Sequence, residues 1–149
     1  MRAVLQRVHR ARVEVEGDTV GEIGPGLVVF IGVGHSDEET DSDYLAAKIA
    51  GLRIFEDDNG LMNLSVQETG GSILAISQFT LFGDARKGRR PGYSAAAPPE
   101  PAENLYEYFC AALRKQGIIV ATGRFQATMR IVVDNDGPVT ILLDSKKEF

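Results

Sequence analysis

Cysteine and histidine are scarce in this chain, which has 149 residues but one cysteine, Cys110, and two histidines, His9 and His35. A single cysteine excludes an internal disulfide, and so few soft ligands leave no set with the usual spacing of a closed zinc site. We therefore expect a protein of a reducing compartment that holds no metal and needs no cofactor.

Long apolar runs are missing as well. No stretch reaches the roughly 18 apolar residues that suggest a membrane-spanning helix, and the first residues lack the apolar core of a secretion signal. The sequence therefore predicts a cytoplasmic protein that makes no use of a membrane.

Basic residues are fewer than acidic ones, and the net charge is −5. A negative net charge argues against extensive binding of nucleic acid over the protein surface, but it is compatible with a local basic patch.

The apolar residues recur in patterns typical of one α+β domain over residues 1–149 with a sheet-rich core. Period-2 alternation predicts strands, the first three as a meander, and apolar residues three and four apart predict two helices. A first helix should start at Ser36 or Asp37. A second should run between the proline-rich segment 98–101 and Gly117. The expected strands are Val4–Val15 in two pieces, Val20–Ile23, Leu27–Gly34, Leu52–Phe55, Ser72–Phe82, Ile118–Ala121, Met129–Val133 and Val139–Leu143.

Polar side chains interrupt the apolar strand expected at Ser72–Phe82. Ser77, Gln78 and Thr80 lie together in ISQFTLFG, where hydrocarbon side chains would pack better. Most single Ser and Thr residues bond to nearby backbone groups, and that is the alternative interpretation here. The cluster nevertheless favours a strand end that faces a cleft.

Four basic residues follow this strand in GDARKGRRPGYS. The segment is rich in glycine and proline, which predicts a surface loop. Arginine forks and a lysine charge suit phosphate oxygens, so an anion-binding loop is one interpretation, and a merely solvated loop is the other. The basic residues are Arg86, Lys87, Arg89 and Arg90.

The sequence gives little support for nucleophilic catalysis by a side chain. A Ser or Thr nucleophile usually needs a neighbouring base, and both histidines are distant in sequence from Ser77 and Thr80. The glycine pair in IGVGHS follows a predicted strand, but it lacks the full dinucleotide fingerprint and the lysine of a phosphate loop. We therefore expect no nucleotide site and no Ser–His–Asp triad.

The segment Asn135–Thr140, NDGPVT, lies between two apolar runs and is nearly a hairpin turn. Pro138 is unexpected there, because it offers no N–H to a strand ladder and fixes φ. Local patterns alone leave the purpose of Gly137-Pro138 open.

The segment SQFTLFGDARKGRRP, followed later by NDGPVT, closely resembles the two signature regions of the D-aminoacyl-tRNA deacylases. The resemblance extends to MRAVLQRV at the start, so it covers essentially the whole chain. One departure is Gln126, which stands where the family usually has the second glycine of Gly-x-Phe-Gly-Ala-x-Met.

This resemblance implies a domain of layered, barrel-like β-sheets with two helices packed on the outside, which hydrolyses the ester of D-aminoacyl-tRNA. It also implies a homodimer in which Gly137-Pro138, as a cis peptide, projects from one subunit into the active site of the other. The main-chain atoms there would exclude L-aminoacyl groups by clash. Glycyl-tRNA, being achiral, would also be accepted.

The resemblance further implies roles for individual residues. Ser77, Gln78, Phe79 and Thr80 would bind and polarise the ester, while the 2′-hydroxyl of the terminal adenosine assists a water; covalent attack by Thr80 is the less favoured alternative. Phe125 and Met129 would contact that adenosine, and the basic loop would receive phosphates of the acceptor stem. A tRNA-binding module without hydrolysis and a generic esterase are the rival interpretations.

Overall fold

A computed structural model describes residues 1–149 and contains eight strands, two α-helices and one 3₁₀ turn. The strands are β1 (Arg2–Val15), β2 (Asp18–Ile23), β3 (Gly26–Gly32), β4 (Phe55–Glu56), β5 (Met62–Leu64), β6 (Ser72–Ser77), β7 (Val120–Thr122) and β8 (Arg130–Asp144), and the helices are α1 (Glu39–Gly51) and α2 (Pro99–Lys115). Neither helix has the length and apolar character to cross a membrane.

The long strand β1 organises the sheet. β2 pairs antiparallel with residues 11–15 of β1, β3 pairs antiparallel with residues 2–8, and β8 pairs along the other edge. β2 and β3 therefore lie end to end along the same edge of β1, and the predicted meander is wrong because β3 does not pair with β2. The 14 residues of β1 offer enough ladder positions for two shorter strands in a row.

The hexapeptide Asn135–Thr140 lies inside β8 and is not the turn between two strands that its sequence predicted. β8 runs antiparallel to β1, with register shifts on both sides of Val8. Gln6 and Val8 pair with the two end residues of the hexapeptide, so the four residues between those ends have no partner in the ladder. Pro138 therefore costs the sheet no hydrogen bond, because it occupies a bulge.

The sheet has a core on each face. β3, β6 and β7 run parallel, joined by crossovers through α1 and α2. The larger core, which includes Leu5 and Phe109, lies under both helices, and a second core, with Val13 and Leu74, fills the opposite face. β2 comes close to β7, which nearly closes the sheet. The predicted α+β class, a barrel-like sheet with two outer helices, is confirmed.

The helix starts differ slightly from those predicted. α1 begins at Glu39 and not at Ser36 or Asp37, because the Asp37 carboxylate accepts a backbone N–H of the preceding turn at 2.6 Å. α2 begins at Pro99, so Pro99 and Pro101 lie in its first turn, where a missing N–H costs no helical bond. Pro99 and Pro101 thus belong to the helix, whereas Pro98 precedes it as the N-cap.

The strand predicted to reach Phe82 ends early. β6 stops at Ser77, and the chain forms a 3₁₀ turn at Phe79–Phe82. The polar residues of this segment therefore lie at and beyond the carboxyl end of a parallel strand, where clefts of α/β sheets commonly form.

Candidate active site

A cavity of about 650 Å³ opens at the carboxyl end of β6. Its walls come from the 3₁₀ turn, the start of α2 and the segment between β7 and β8. This volume is within the range of small-molecule sites. Of the residues predicted for the site, those that line the cavity are Ser77, Gln78, Phe79, Phe125 and Met129.

Backbone hydrogen bonds fix the 3₁₀ turn. The Gln78 N–H donates to the Ile31 carbonyl of β3 at 2.7 Å, and the Gln78 carbonyl is the first acceptor of the turn itself. The N–H groups of Phe79 and Thr80 come too early to bond to a carbonyl within the turn. These two N–H groups are therefore candidates for bonding a ligand.

The glycine pair in IGVGHS lets the turn approach β3. A side chain at Gly32 would lie 3.0 Å from the Gln78 carbonyl oxygen, and one at Gly34 would lie 2.8 Å from the Phe82 ring. Both distances are too short for ordinary contact. The pair therefore has a packing role, which accounts for glycine in this segment without a nucleotide site.

The cavity holds no side chain suited to act as a base. Its only ionisable lining residue is Tyr93. The Gln78 amide donates to the Thr80 hydroxyl, so this neighbour cannot remove the hydroxyl proton. His9 and His35 do not line the cavity. The arrangement around Thr80 therefore shows no nucleophile–base pair of the kind that covalent hydrolases use.

The inner wall of the cavity is apolar. Phe125 and Met129 line it, and the Phe125 ring lies 6.3 Å from the ring of Tyr106 in α2. Tyr106 is buried, which raises the pKa of its phenol far above the usual range, and its hydroxyl donates to the Ala75 carbonyl of β6 at 2.8 Å. Cys110 is also buried, and burial raises the pKa of its thiol to about 11. The thiol stays protonated at neutral pH and is no candidate nucleophile.

Gln126 lines the cavity in a backbone conformation that favours glycine. Its φ is 60°, in the left-handed region that costs a residue with a side chain roughly 1–2 kcal/mol. The resemblance led us to expect glycine at this position. The departure therefore leaves the turn intact and adds an amide side chain to the cavity wall.

The basic loop is exposed and closed at its base. Asp84 and Gly92 exchange two backbone hydrogen bonds of 2.8 and 2.9 Å. Arg86 forks onto the Asp84 carboxylate, with nitrogen–oxygen distances of 2.9 and 2.7 Å, and these hydrogen bonds hold the pKa of that carboxyl well below its usual range. The basic residues of the loop that make no ion pair are Lys87, Arg89 and Arg90.

Gly137 and Pro138 are exposed and do not line the cavity of their own chain. Their peptide bond is cis. Arg7 of β1 holds the bulge: its Nε donates to the Asp136 carbonyl at 3.2 Å, and its Nη1 donates to the Ile54 carbonyl at 2.7 Å. The Asp136 carboxylate lies 3.1 Å from the same guanidinium, which is 6% exposed. Arg7 is therefore the buried anchor of the bulge, while the exposed His9 lies 3.5 Å from the Asp136 carboxylate and the Gln6 amide donates to the Thr140 hydroxyl at 3.1 Å.

Sequence reasoning missed Arg7 and Tyr93. Arg7 continues the inward-facing alternation of Ala3 and Leu5, so a charged residue at a buried position was the signal that could have revealed it. Tyr93 follows the basic loop directly and lines the cavity. No local pattern distinguishes it from other surface tyrosines.

Comparisons with known proteins agree with this geometry. A family model described as D-Tyr-tRNA(Tyr) deacylase matches residues 4–144. Relatives named D-aminoacyl-tRNA deacylase, from Symbiobacterium thermophilum and Koribacter versatilis, are 60% and 62% identical to this chain; each alignment covers all of this chain and 99% or 100% of the relative.

Solved structures share the same fold. One described as c-Myc DNA unwinding element binding protein has a TM-score of 0.91 and 40% identity, over 97% of this chain and 98% of that one. Another, described as a probable eukaryotic D-amino acid tRNA deacylase, has a TM-score of 0.83 and 18% identity, over 95% and 97% of the two chains.

Proposed function

This chain belongs to the D-Tyr-tRNA(Tyr) deacylase family and hydrolyses the ester bond of D-aminoacyl-tRNA, and on that premise we propose that the reaction takes place in the cavity at the end of β6. The observation that carries this proposal is the 3₁₀ turn: Phe79 lines a cavity without a side-chain base, and the backbone N–H groups of Phe79 and of the exposed Thr80 beside it have no acceptor within the turn. We place the activity in the cytoplasm, with aminoacyl-tRNA as the partner.

Backbone donors suit this substrate. An aminoacyl ester is already activated, so positioning and stabilisation of the developing oxyanion can supply much of the rate. The N–H groups of Phe79 and Thr80 are the donors for that oxyanion. A water assisted by the 2′-hydroxyl of the terminal adenosine attacks the carbonyl carbon, and the proton passes to the leaving 3′-oxygen.

The polar side chains bind and polarise the substrate. The Thr80 hydroxyl accepts a hydrogen bond from Gln78, which leaves its own proton available to the ester. Ser77 and Gln78 line the wall and orient the aminoacyl group. Covalent attack by Thr80 is the disfavoured alternative, because no base lies beside it.

The rest of the tRNA end contacts two further parts of the chain. Phe125 and Met129 supply an apolar surface for the terminal adenosine. Lys87, Arg89 and Arg90 receive phosphates, while Arg86 stays paired with Asp84 and shapes the loop. This division refines the expectation that all four basic residues contact RNA.

Selection against L-aminoacyl groups is assigned to Gly137-Pro138 of a second copy of the chain. The dipeptide is exposed and stands apart from its own cavity, which supports action on another subunit. Main-chain atoms cannot change rotamer, so they can reject an L side chain by clash while a D side chain points away. Glycyl-tRNA, without a side chain, escapes this selection.

Deacylation of three matched substrates tests the selection. D-tyrosyl-tRNA and glycyl-tRNA should be hydrolysed, and L-tyrosyl-tRNA should be spared. Uncharged tRNA should compete, because the basic loop and the adenosine surface bind it as well. Equal hydrolysis of both tyrosyl enantiomers would refute selection by exclusion, and a lack of competition would favour a generic esterase.

Mixing two defective variants tests the assignment to a second copy. Ala102→Trp fills the cavity, and Gly137→Val disturbs the bulge, because a side chain there would clash with the Val139 nitrogen. If the bulge acts on the partner, an equimolar mixture that exchanges subunits should regain D-specific activity of about a quarter of the parent. If it acts within one chain, the mixture stays as defective as its components.

A further inference from the structure

Two aromatic rings form an exposed pair that borders the cavity. Phe79 and Tyr93 lie edge to face, with ring centroids 5.1 Å apart and planes at 70°. The two residues are 54% and 40% exposed and both line the cavity. A flat ligand that covered them would bury apolar surface which the folded chain leaves in water.

Tyr93 is held in place from two sides. A side chain at Gly83 would come within 3.1 Å of its ring, so the glycine allows the ring to lie against the end of the 3₁₀ turn. Gly92, its neighbour in sequence, closes the base of the basic loop through the two backbone hydrogen bonds to Asp84. Tyr93 therefore lines the cavity and directly follows the closed base of the loop that carries the unpaired cations.

We propose that this pair, the aromatic platform of Phe79 and Tyr93, stacks against the base that precedes the terminal adenosine of the aminoacyl-tRNA. The inference rests on the proposed function, because it requires the terminal adenosine in the cavity and upstream phosphates at the basic loop. A strand that connects these two positions passes the platform. Unpaired RNA bases stack on aromatic side chains, and every base offers a π face.

Short substrates test the platform without the rest of the tRNA. The first is the D-tyrosyl ester of the dinucleotide cytidylyl-adenosine, and the second is the same dinucleotide ester without the cytosine base. Both keep the bridging phosphate, so their difference reports the base alone. The parent protein should prefer the intact dinucleotide by about tenfold in kcat/KM, as expected for one stacked base.

Three variants test whether the preference for the intact dinucleotide depends on the ring of Tyr93. Tyr93→Ala should lower the preference from about tenfold to about threefold or less, because only the Phe79 ring is left, and Tyr93→Phe should retain it, because both rings remain. Tyr44→Ala is the matched control, since Tyr44 is equally exposed at 38% but lies in α1. It should leave the preference at the parent value.

Two results would overturn the platform: no preference in the parent, or a preference that Tyr93→Ala leaves at the parent value in a folded protein. The parent measurement decides the matter even if a variant fails to fold. Failure of the proposed function looks different, because the parent would then leave the full D-tyrosyl-tRNA intact as well. A Tyr93→Ala loss that is equal for both dinucleotides would assign the ring to the aminoacyl-adenosine instead.

Discussion

Two polar segments interrupt apolar strands in this protein, and they are held by different means. Ser77–Phe82, after β6, is fixed by backbone hydrogen bonds to β3 and within its own turn. In Asn135–Thr140, inside β8, the four residues between the ends have no ladder partners, and the guanidinium of Arg7 holds them by bonding to the Asp136 carbonyl and carboxylate. Loss of one distant side chain should therefore leave the geometry of the first segment unchanged, whereas it should disturb the geometry of the second.

This contrast fits the proposed roles of the two segments. Oxyanion donors must keep one geometry, and several backbone bonds provide it without any particular side chain. A selecting wall that reaches another subunit must project from the sheet, so it cannot use ladder bonds. A buried arginine fork, with several donors in one plane, can hold such a projection rigidly.

The largest effect should come from Arg7→Ala. The change leaves the Ile54 and Asp136 carbonyls without their donor and removes the buried cation that pairs with the Asp136 carboxylate, so unfolding free energy should fall by about 3 kcal/mol. Misplacement of the bulge should reduce D-tyrosyl-tRNA kcat/KM on the order of a hundredfold. Denaturant titration and deacylation kinetics measure the two effects.

Arg10→Ala is the matched control for this prediction. Arg10 lies on the same strand and forms an exposed pair with Asp134 at 3.4 Å, so its loss should cost no more than about 0.5 kcal/mol. Equal effects of the two variants would contradict the view that the bulge depends on Arg7.

The second largest effect should come from the three basic residues of the loop that make no ion pair. Changing Lys87, Arg89 and Arg90 together to Ala should raise KM for D-tyrosyl-tRNA roughly thirtyfold, from about 0.7 kcal/mol for each exposed contact. The slope of log affinity against log salt should fall by about two. The double variant Asp84→Ala with Arg86→Ala removes a pair of opposite charges and should leave the slope unchanged. A slope that responds only to the double variant would reverse these assignments.

A smaller effect is expected from Thr80→Val. The variant keeps the shape and the backbone N–H but loses the hydroxyl, so single-turnover deacylation should slow about fivefold, the loss of one ordinary hydrogen bond. Removal of a covalent nucleophile would cost several orders of magnitude more. Thr80→Ser keeps the hydroxyl and should stay near the parent rate. Capture of an acyl group on Thr80 would refute the water mechanism.

The smallest effect should follow Tyr106→Phe. Its hydroxyl bonds to the Ala75 carbonyl, but the Gly123 N–H bonds to the same oxygen at 3.3 Å, so β6 keeps a donor there. Unfolding free energy should drop by about 1 kcal/mol, and kcat/KM should change less than about twofold. A large loss of activity would show that the 3₁₀ turn depends on remote side chains and is not fixed by its own backbone hydrogen bonds.

Local sequence patterns predicted the secondary structure correctly where the burial of side chains follows a simple pattern. The continuous apolar run Leu27–Gly34 predicted a central strand, and β3 is buried on both faces. The basic loop and the polar end of β6 were also located from composition alone. The predictions were wrong at the ends of strands, as at the 3₁₀ turn Phe79–Phe82, because a strand and a tight turn can share the same apolar spacing.

The sequence by itself determined the α+β class, the polar strand end and the cationic loop, because side-chain periodicity and turn chemistry act over a few residues. Tertiary structure alone decided that β2 and β3 share one edge of β1, that the Gly-Pro lies in a bulge, and that Tyr93 stands at the cavity. Arg7 and Asp136 are 129 positions apart, yet they meet because β8 returns along β1. Such pairings depend on which strands find each other, and no local period records that choice.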